Sequence, residues 1–490
     1  MKFAFNKINA VCLLLFVVLT ACTKQYNDYR KEVLNTLESI SSERKEKLTQ
    51  YLNLMQQKAS FIHQDQLMYT FFKTKKEYYK LSKEMTFPKD IVKKIEALKK
   101  SIENHYLHNY LVFYDILFID TEGEIFFTIR KEKDYHKNIF NDVMANTALS
   151  KKMRRDPSTS FVDFSFYEVS GEPSAFFIEP VKDSTGLAGW FVFQCAINKI
   201  NRLFYADEKL GSTGEVILVN MDQYMLTDSR FKSESTILKQ HLPKENISSK
   251  FTERKGFKEV IDYMGNKVLS SFEVFPLFDS EWLIIAKKNE SEIITDYVLE
   301  NRDKLETELH KSIINKRPKY TKEIPEFNNA ITIDVDEFQR VDTNRILYTH
   351  GLSSCTGIIV HFPERFSYMA HVSPYDVIYN QDKTDVLGNI IKRISFLEIK
   401  QAEKHDVQIT IVANHDETVF NIMDKLVQEG YFLSQIQFMY NPGALYANVY
   451  HEFSTGETSV TWKMPDKTYL VEKSKIIPTI EDNLKESLIR

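Results

Sequence analysis

The chain reads as an α+β protein in several parts. A long stretch without Gly or Pro opens it, from Tyr26 to about Leu81, with Leu34, Leu37 and Ile40, then Leu52, Leu54 and Met55, in a rough helical stripe. Alternating apolar runs separated by turn residues follow, in three successive blocks. The 490 residues correspond to about three domains. Abundant Phe and Tyr with few Gly and Pro favour ordered helices and sheets over disorder.

The first residues stand apart from the fold. Lys2 and Lys7 form a positive region, Ala10 to Leu19 is an apolar run too short to span a bilayer comfortably, and Leu19-Thr20-Ala21-Cys22 follows. This tetrapeptide resembles a bacterial lipobox, in which Cys22 is acylated and becomes the mature N-terminus. An ordinary signal peptide or an uncleaved anchor is the plainer alternative. No later apolar run reaches about 18 residues, so the rest of the chain is expected on one side of the membrane, outside the cytoplasm (periplasm or cell surface).

Charge and cysteines exclude several classes. With 64 basic and 68 acidic residues the net charge is −4, and no basic excess points to nucleic acid. After Cys22 only Cys195 and Cys355 remain, too few for a disulfide framework, and both are expected as free thiols. His361 and His371 share a predicted hairpin, but no cysteine or carboxylate set completes a zinc site, and no glycine loop cradles a phosphate. Neither a metal nor a cofactor is expected.

Each element has its own signal. Pro88 interrupts the first helix, and Ile91 to Leu107 resumes it. Val112 to Asp120, a turn at Thr121-Glu122-Gly123-Glu124, and Ile125 to Ile129 make a hairpin; Phe176 to Val181 and Trp190 to Gln194 make a second. Ile197 to Phe204 reads as a short helix. A second unit begins at Gly211-Ser212-Thr213-Gly214, with strands at Val216 to Asn220, Met225 to Thr227, Val268 to Val274 and Trp282 to Ala286. Ile293 to Asn315 reads as a helix, and Lys316-Arg317-Pro318 with Glu323-Ile324-Pro325 as a linker.

Phe161-Val162-Asp163-Phe164, Tyr167, Gly171-Glu172-Pro173, Ala175-Phe176-Phe177, Ile197 to Asn201, Gly211-Ser212-Thr213-Gly214-Glu215 and Thr227-Asp228-Ser229-Arg230-Phe231 resemble double-Cache extracellular sensor domains. The resemblance covers about residues 25 to 290. It implies two PAS-like lobes and a small-molecule ligand in the lobe farther from the membrane. Tyr114, Asp115, Phe164, Tyr167 and Phe177 are the candidate pocket residues there, although each is more often plain core or surface. Such sensors continue through the membrane into a signalling module, and with no later apolar run of about 18 residues this chain is not expected to do so.

The third block carries the chemistry. Ile346 to Thr349, Cys355 to Phe362 and Phe366 to Val372 are strands, with Pro363-Glu364-Arg365 as the turn between the last two. A hairpin centred on Glu364 puts Cys355 and His371 on one face as diagonal neighbours, about 7–8 Å apart at the backbone; a slip of one residue would separate them. A thiol beside an imidazole can form a nucleophile that attacks an amide, with a third group holding the ring. Spacing alone favours the plainer reading, a small buried cysteine and a structural histidine.

Thr349, Gly351-Leu352-Ser353-Ser354-Cys355, Met369-Ala370-His371 and Pro374 resemble the chemoreceptor glutamine deamidases of the CheD type. The resemblance implies an α/β sandwich and gives Cys355 as nucleophile, His371 as general base and acid, and Thr349 as the group that orients the ring. Leu387 to Lys404, Val407 to Val412, Thr418 to Glu429 and Gln437 to Phe453 match the helices and strands expected beyond it. Two features depart: Ser353 stands where glycine is usual, and Ala413-Asn414-His415-Asp416 replaces a glycine-rich stretch. That family is cytoplasmic and this chain is expected to be exported, so its substrate does not carry over.

The expected organisation is a signal peptide over 1–21, stalk helices over 22–107, a membrane-distal lobe over 108–205 and a membrane-proximal lobe over 206–290. A helix and linker over 291–327, a CheD-like domain over 328–475 and a tail over 476–490 complete it. The expected function is a membrane-tethered small-ligand sensor bearing a protein-glutamine deamidase, with a protein substrate or chemoreceptor as partner. The alternative is a non-catalytic solute-binding lipoprotein whose C-terminal domain docks a receptor.

Overall fold

The computed structural model describes residues 2–205, 208–278, 280–301, 320, 330–374, 385–399, 401–474 and 479–482. Side chains of residues 2–24 fall outside that description, Cys22 among them. Two compact units emerge, Leu34–Asn289 and, together, Met1–Val33 with Glu290–Arg490. The protein is α+β, with a long N-terminal helix.

In the first unit, α1 (Lys2–Phe61) contributes its later turns, α2 (Gln66–Lys83) follows a short break, and α3 (Lys89–Asn109) starts directly after Pro88. Leu37, Ile40, Leu48, Leu52, Met55 and Ala59 form the buried stripe of α1. Asp65 caps α2 by accepting from the Met68 amide at 3.1 Å, and it also holds His105 and Tyr110 at 2.6 and 2.8 Å.

Five antiparallel strands make the first lobe: β1 (Asp115–Asp120), β2 (Ile125–Thr128), β3 (Ser160–Tyr167), β4 (Glu172–Asp183) and β5 (Gly186–Ala196), in the order β2-β1-β5-β4-β3. One face carries Leu117, Ile119, Phe176, Ile178 and Val192 into a core closed by Leu149 and Met153 of α4 (Ala148–Arg155). The other packs Phe118 and Phe191 on Phe71 and Phe72 of α2. Gly189 allows the β1–β5 approach: its φ is +146°, and a Cβ there would lie 2.2 Å from the Ile119 carbonyl oxygen.

The second lobe has β6 (Glu215–Asn220), β7 (Lys255–Ile261), β8 (Lys267–Leu277) and β9 (Ser280–Asn289) in the order β6-β9-β8-β7, after α5 (Ile197–Leu203) and with α6 (Lys244–Glu253) against β7 and β8.

The other unit holds α7 (Glu290–Glu300); the remainder of the helix expected to Asn315, and the linker after it, lie outside the described residues. Two five-stranded sheets then face each other. One runs β10-β12-β17-β18-β19, from β10 (Ala330–Thr332), β12 (Ile346–Leu352), β17 (Tyr446–Glu452), β18 (Thr458–Lys463) and β19 (Tyr469–Lys473). Its partner runs β11-β14-β13-β15-β16, from β11 (Glu337–Val341), β14 (Phe366–Val372), β13 (Thr356–Phe362), β15 (Gln408–Ala413) and β16 (Ile436–Tyr440). Leu347, Val449 and Trp462 of the first sheet meet Ile359, Met369 and Val412 of the second in one core, with Cys355 packed at its margin. Helices α8 (Val386–Arg393) and α9 (Asp416–Gln428) lie against the second sheet. No helix among the described residues is long and apolar enough to cross a membrane.

Candidate functional site

The β13–β14 hairpin has the expected register. Phe362 opposes Phe366, Thr356 opposes Val372, and Gly357 opposes His371, around a turn in which Glu364 takes φ +63°. Cys355 precedes β13 by one residue, so it lies two positions from Gly357 and diagonal to His371. His371, at 3% exposure, projects into the space between the two sheets.

Thr349 reaches the same space from the opposite sheet. Its Oγ1 lies 2.9 Å from the Ile333 carbonyl oxygen and 2.8 Å from His371 Nδ1. The hydroxyl has one proton, and a carbonyl can only accept, so that proton goes to Ile333. His371 Nδ1 must therefore be the donor to Thr349. In the neutral ring this leaves the lone pair on Nε2, a buried atom without a hydrogen-bond partner among the described residues. Burial holds the ring's pKa below the ordinary histidine value, so it is neutral at pH 7.

The sulfur is less prepared. Cys355 is half-buried and free. Burial and then the charge of Asp336 raise its pKa, while a hydrogen bond from Ser354 lowers it. Among the described residues no hydrogen bond links Sγ to the imidazole. At rest the two groups are thus a neutral thiol and a neutral ring, not a preformed ion pair.

Sequence reasoning missed Asp336. Its amide donates to the His371 carbonyl at 2.7 Å, and its Oδ1 accepts from the Ser373 amide at 2.9 Å. Its charge raises both the Cys355 and the His371 pKa. Nothing local in the sequence marks this residue; its place follows from the pairing of β11 with β14, in which Glu337 opposes His371.

In the first lobe the candidate ligand residues separate. Asp115 is 1% exposed; Oδ1 accepts from the amides of Ile116, Ile129 and Arg130 at 2.7, 2.9 and 3.1 Å. Burial pushes its carboxyl up to about 7. Tyr167 donates to Asp134 at 3.1 Å and Tyr114 to Glu132 at 2.6 Å. Asp115 Oδ2, Asp134 Oδ1, Glu132 Oε2 and Gln194 Oε1 are buried acceptors without a hydrogen-bond partner among the described residues. Gln194 pairs directly across from Asp115. Phe164 and Phe177 do not join this cluster. Phe177 packs with Phe113, Phe161 and Phe278, and Phe164 packs with Trp282. No group of His, Cys, Asp and Glu among the described residues could hold a metal ion.

No protein-family model matches the chain. No curated protein matches it either. Among solved structures it is similar to the ligand-binding domain of the Pseudomonas aeruginosa PAO1 amino acid chemoreceptor PctB in complex with L-Arg, at 15% identity over 54% of this chain and 95% of that one, with a TM-score of 0.33. The periplasmic sensory domain of the Campylobacter jejuni chemoreceptor Tlp1 is similar at 14% identity, over 54% and 98% of the two chains, with a TM-score of 0.37. For the ligand-binding domain of the Pseudomonas fluorescens chemoreceptor CtaA in complex with L-leucine the values are 12%, 55%, 99% and 0.34.

Proposed function

We propose that the chain is a lipid-tethered, extracytoplasmic sensor of a small ligand (22–290) carrying a thiol hydrolase (328–475) that deamidates glutamine side chains of a protein. The hydrolase half rests on the Thr349–His371 bond, which leaves Nε2 without a hydrogen-bond partner among the described residues, and on the diagonal placement of Cys355 and His371 in the hairpin register. In the reaction Nε2 takes the thiol proton as Sγ bonds to the carboxamide carbon. The oxyanion collapses, the C–N bond breaks, and the imidazolium gives its proton to the departing nitrogen. Ammonia leaves and a thioester remains; water, deprotonated by the same Nε2, releases the glutamate side chain and restores the thiol. Because the resting pair is neutral, proton transfer accompanies the attack. The Asp336 charge favours the imidazolium that forms.

The sensor half rests on the unpartnered acceptors around Asp115. Four buried oxygens without donors among the described residues suit a ligand that supplies an ammonium group. The lipid tether rests on Leu19-Thr20-Ala21-Cys22.

One observation favours a second reading, a docking domain without catalysis: burial and Asp336 keep the proton on Cys355. The two separate in an ammonia-release assay with β-casein as a flexible, glutamine-containing probe. Release by the full chain that vanishes in Cys355→Ala, with the circular dichroism spectrum unchanged, supports the hydrolase. No release from either protein supports the docking domain.

A further inference from the structure

The second lobe buries a lysine for which neither the hydrolase nor the acidic cluster has a use. Lys250 of α6 is 2% exposed. With Ile217, Leu242, Ile247, Val268 and Ile285 it lines a cavity of about 20 Å³. Its ammonium makes no hydrogen bond or ion pair with a described residue, and the Phe272 ring centroid lies 5.7 Å from Nζ.

Lys287 supplies the contrast. It lines the same cavity and is equally buried, but two carboxylates meet it, Asp262 and, at 3.3 Å, Glu215. Among the described residues no carboxylate meets Lys250 in this way. The charges that act on it, Lys258 and Glu253, already pair with each other at 2.6 Å. Burial draws its pKa down to about 8, so at neutral pH it is still mostly a cation. A buried cation of this kind is normally matched by an anion.

The cavity decides which anion. It has room for about one or two water-sized groups, which excludes an amino acid or a sugar. The Asp262 charge in its wall is already held by Lys287, and Ser270 donates its hydroxyl to the Lys258 carbonyl at 2.9 Å. Selection there is by charge and size. We propose that Lys250 is the cationic centre of a second binding site, in this lobe, for a monovalent anion of one to three heavy atoms, with chloride and formate as the two sources of that chemistry.

The test is thermal unfolding of the full chain at pH 7 and equal ionic strength in sodium gluconate, chloride and formate. In the wild type one of the two small anions should raise the transition of the 34–289 unit by about 2–4 °C over gluconate, which is too large to enter. The larger increment names the source. Lys250→Met, apolar and of similar length, should abolish the increment. If that variant does not fold, broadening of the chloride-35 resonance by the wild type, reversed by formate, carries the same information. Equal transitions in all three salts without chloride broadening would overturn the site, and so would an increment that survives in Lys250→Met.

Discussion

Thr349 and His371 stand on opposite sheets of the C-terminal sandwich and are joined by a 2.8 Å bond between Oγ1 and Nδ1. Since the Thr349 proton is committed to Ile333, this one contact sets both the tautomer and the angle of the ring. Thr349→Val keeps the volume, removes the acceptor and strands a buried Nδ1–H. We expect it to lower stability by about 1–3 kcal/mol and ammonia release by about 10–100-fold, while Thr349→Ser keeps most of both. Urea titration and the ammonia assay read the two quantities. A Val variant that works at the wild-type rate would remove Thr349 from the mechanism.

The thiol has its own signature. Alkylation follows the thiolate, and both burial and Asp336 keep Cys355 protonated. Iodoacetamide should therefore react with it more slowly at pH 7 than with free cysteine, and faster only as the pH climbs past the ordinary thiol range. Asp336→Asn removes a raising charge from both groups. Alkylation at pH 8 should quicken, and the acid limb of the ammonia-release profile should move to lower pH because His371 then stays unprotonated further down. Alkylation at pH 7 faster than free cysteine would contradict this account of the site.

What the sequence revealed and what it hid divide along local and non-local lines. The Cys355–His371 hairpin was legible because alternation and the Pro363-Glu364-Arg365 turn set the register within 20 residues. Asp336 was not, because its place depends on β11 pairing with a strand about 35 residues away. The helix expected over Leu387 to Lys404 is broken: α8 ends at Arg393, a π turn covers Ile394–Glu398, and a 3₁₀ segment covers Gln401–Asp406. Tertiary bonds account for the break. Glu398 is held by Arg340 at 2.6 and 3.0 Å and by Tyr368 at 2.9 Å. In the first lobe, strand parity decides which aromatics meet the acidic cluster. Phe176 shares a face with Gln194 and Phe177 does not, and a bulge between Val162 and Ser165 interrupts the register around Phe164.

Asp115 gives the first lobe a pH dependence with a definite sign. Its carboxyl sits at about 7 in the fold against 3.8 unfolded, so the fold holds the proton more tightly. The associated stability is complete below about pH 4 and is lost as the pH rises through 7. Between pH 5 and 8 the wild type should lose about 2–3 kcal/mol that Asp115→Asn does not lose. An ammonium ligand favours the carboxylate, so primary amines and amino acids should bind more tightly at pH 8 than at pH 6, and Asp115→Asn should weaken them. Calorimetry at the two pH values reads this directly. Ligands that bind better at pH 6 would exclude an ammonium at this cluster.

His451 gives the C-terminal sandwich the opposite slope. It is fully buried; Nε2 meets Ser367 Oγ at 2.9 Å and Nδ1 meets Thr458 Oγ1 at 3.1 Å, while His361 shares the same Ser367 hydroxyl at 2.8 Å. Burial, reinforced by His361, pulls its pKa down to about 3 from 6.5. Unfolded chain takes up a proton below pH 6.5 and folded chain does not, so this stability is present above 6.5 and drains away as the pH falls toward 3. Between pH 6.5 and 4.5 the wild type should lose about 2–3 kcal/mol more than His451→Gln, which keeps hydrogen-bonding atoms but does not titrate. Urea unfolding at the two pH values measures the difference. Parallel losses in the two proteins would mean that His451 titrates alike in the folded and unfolded chains.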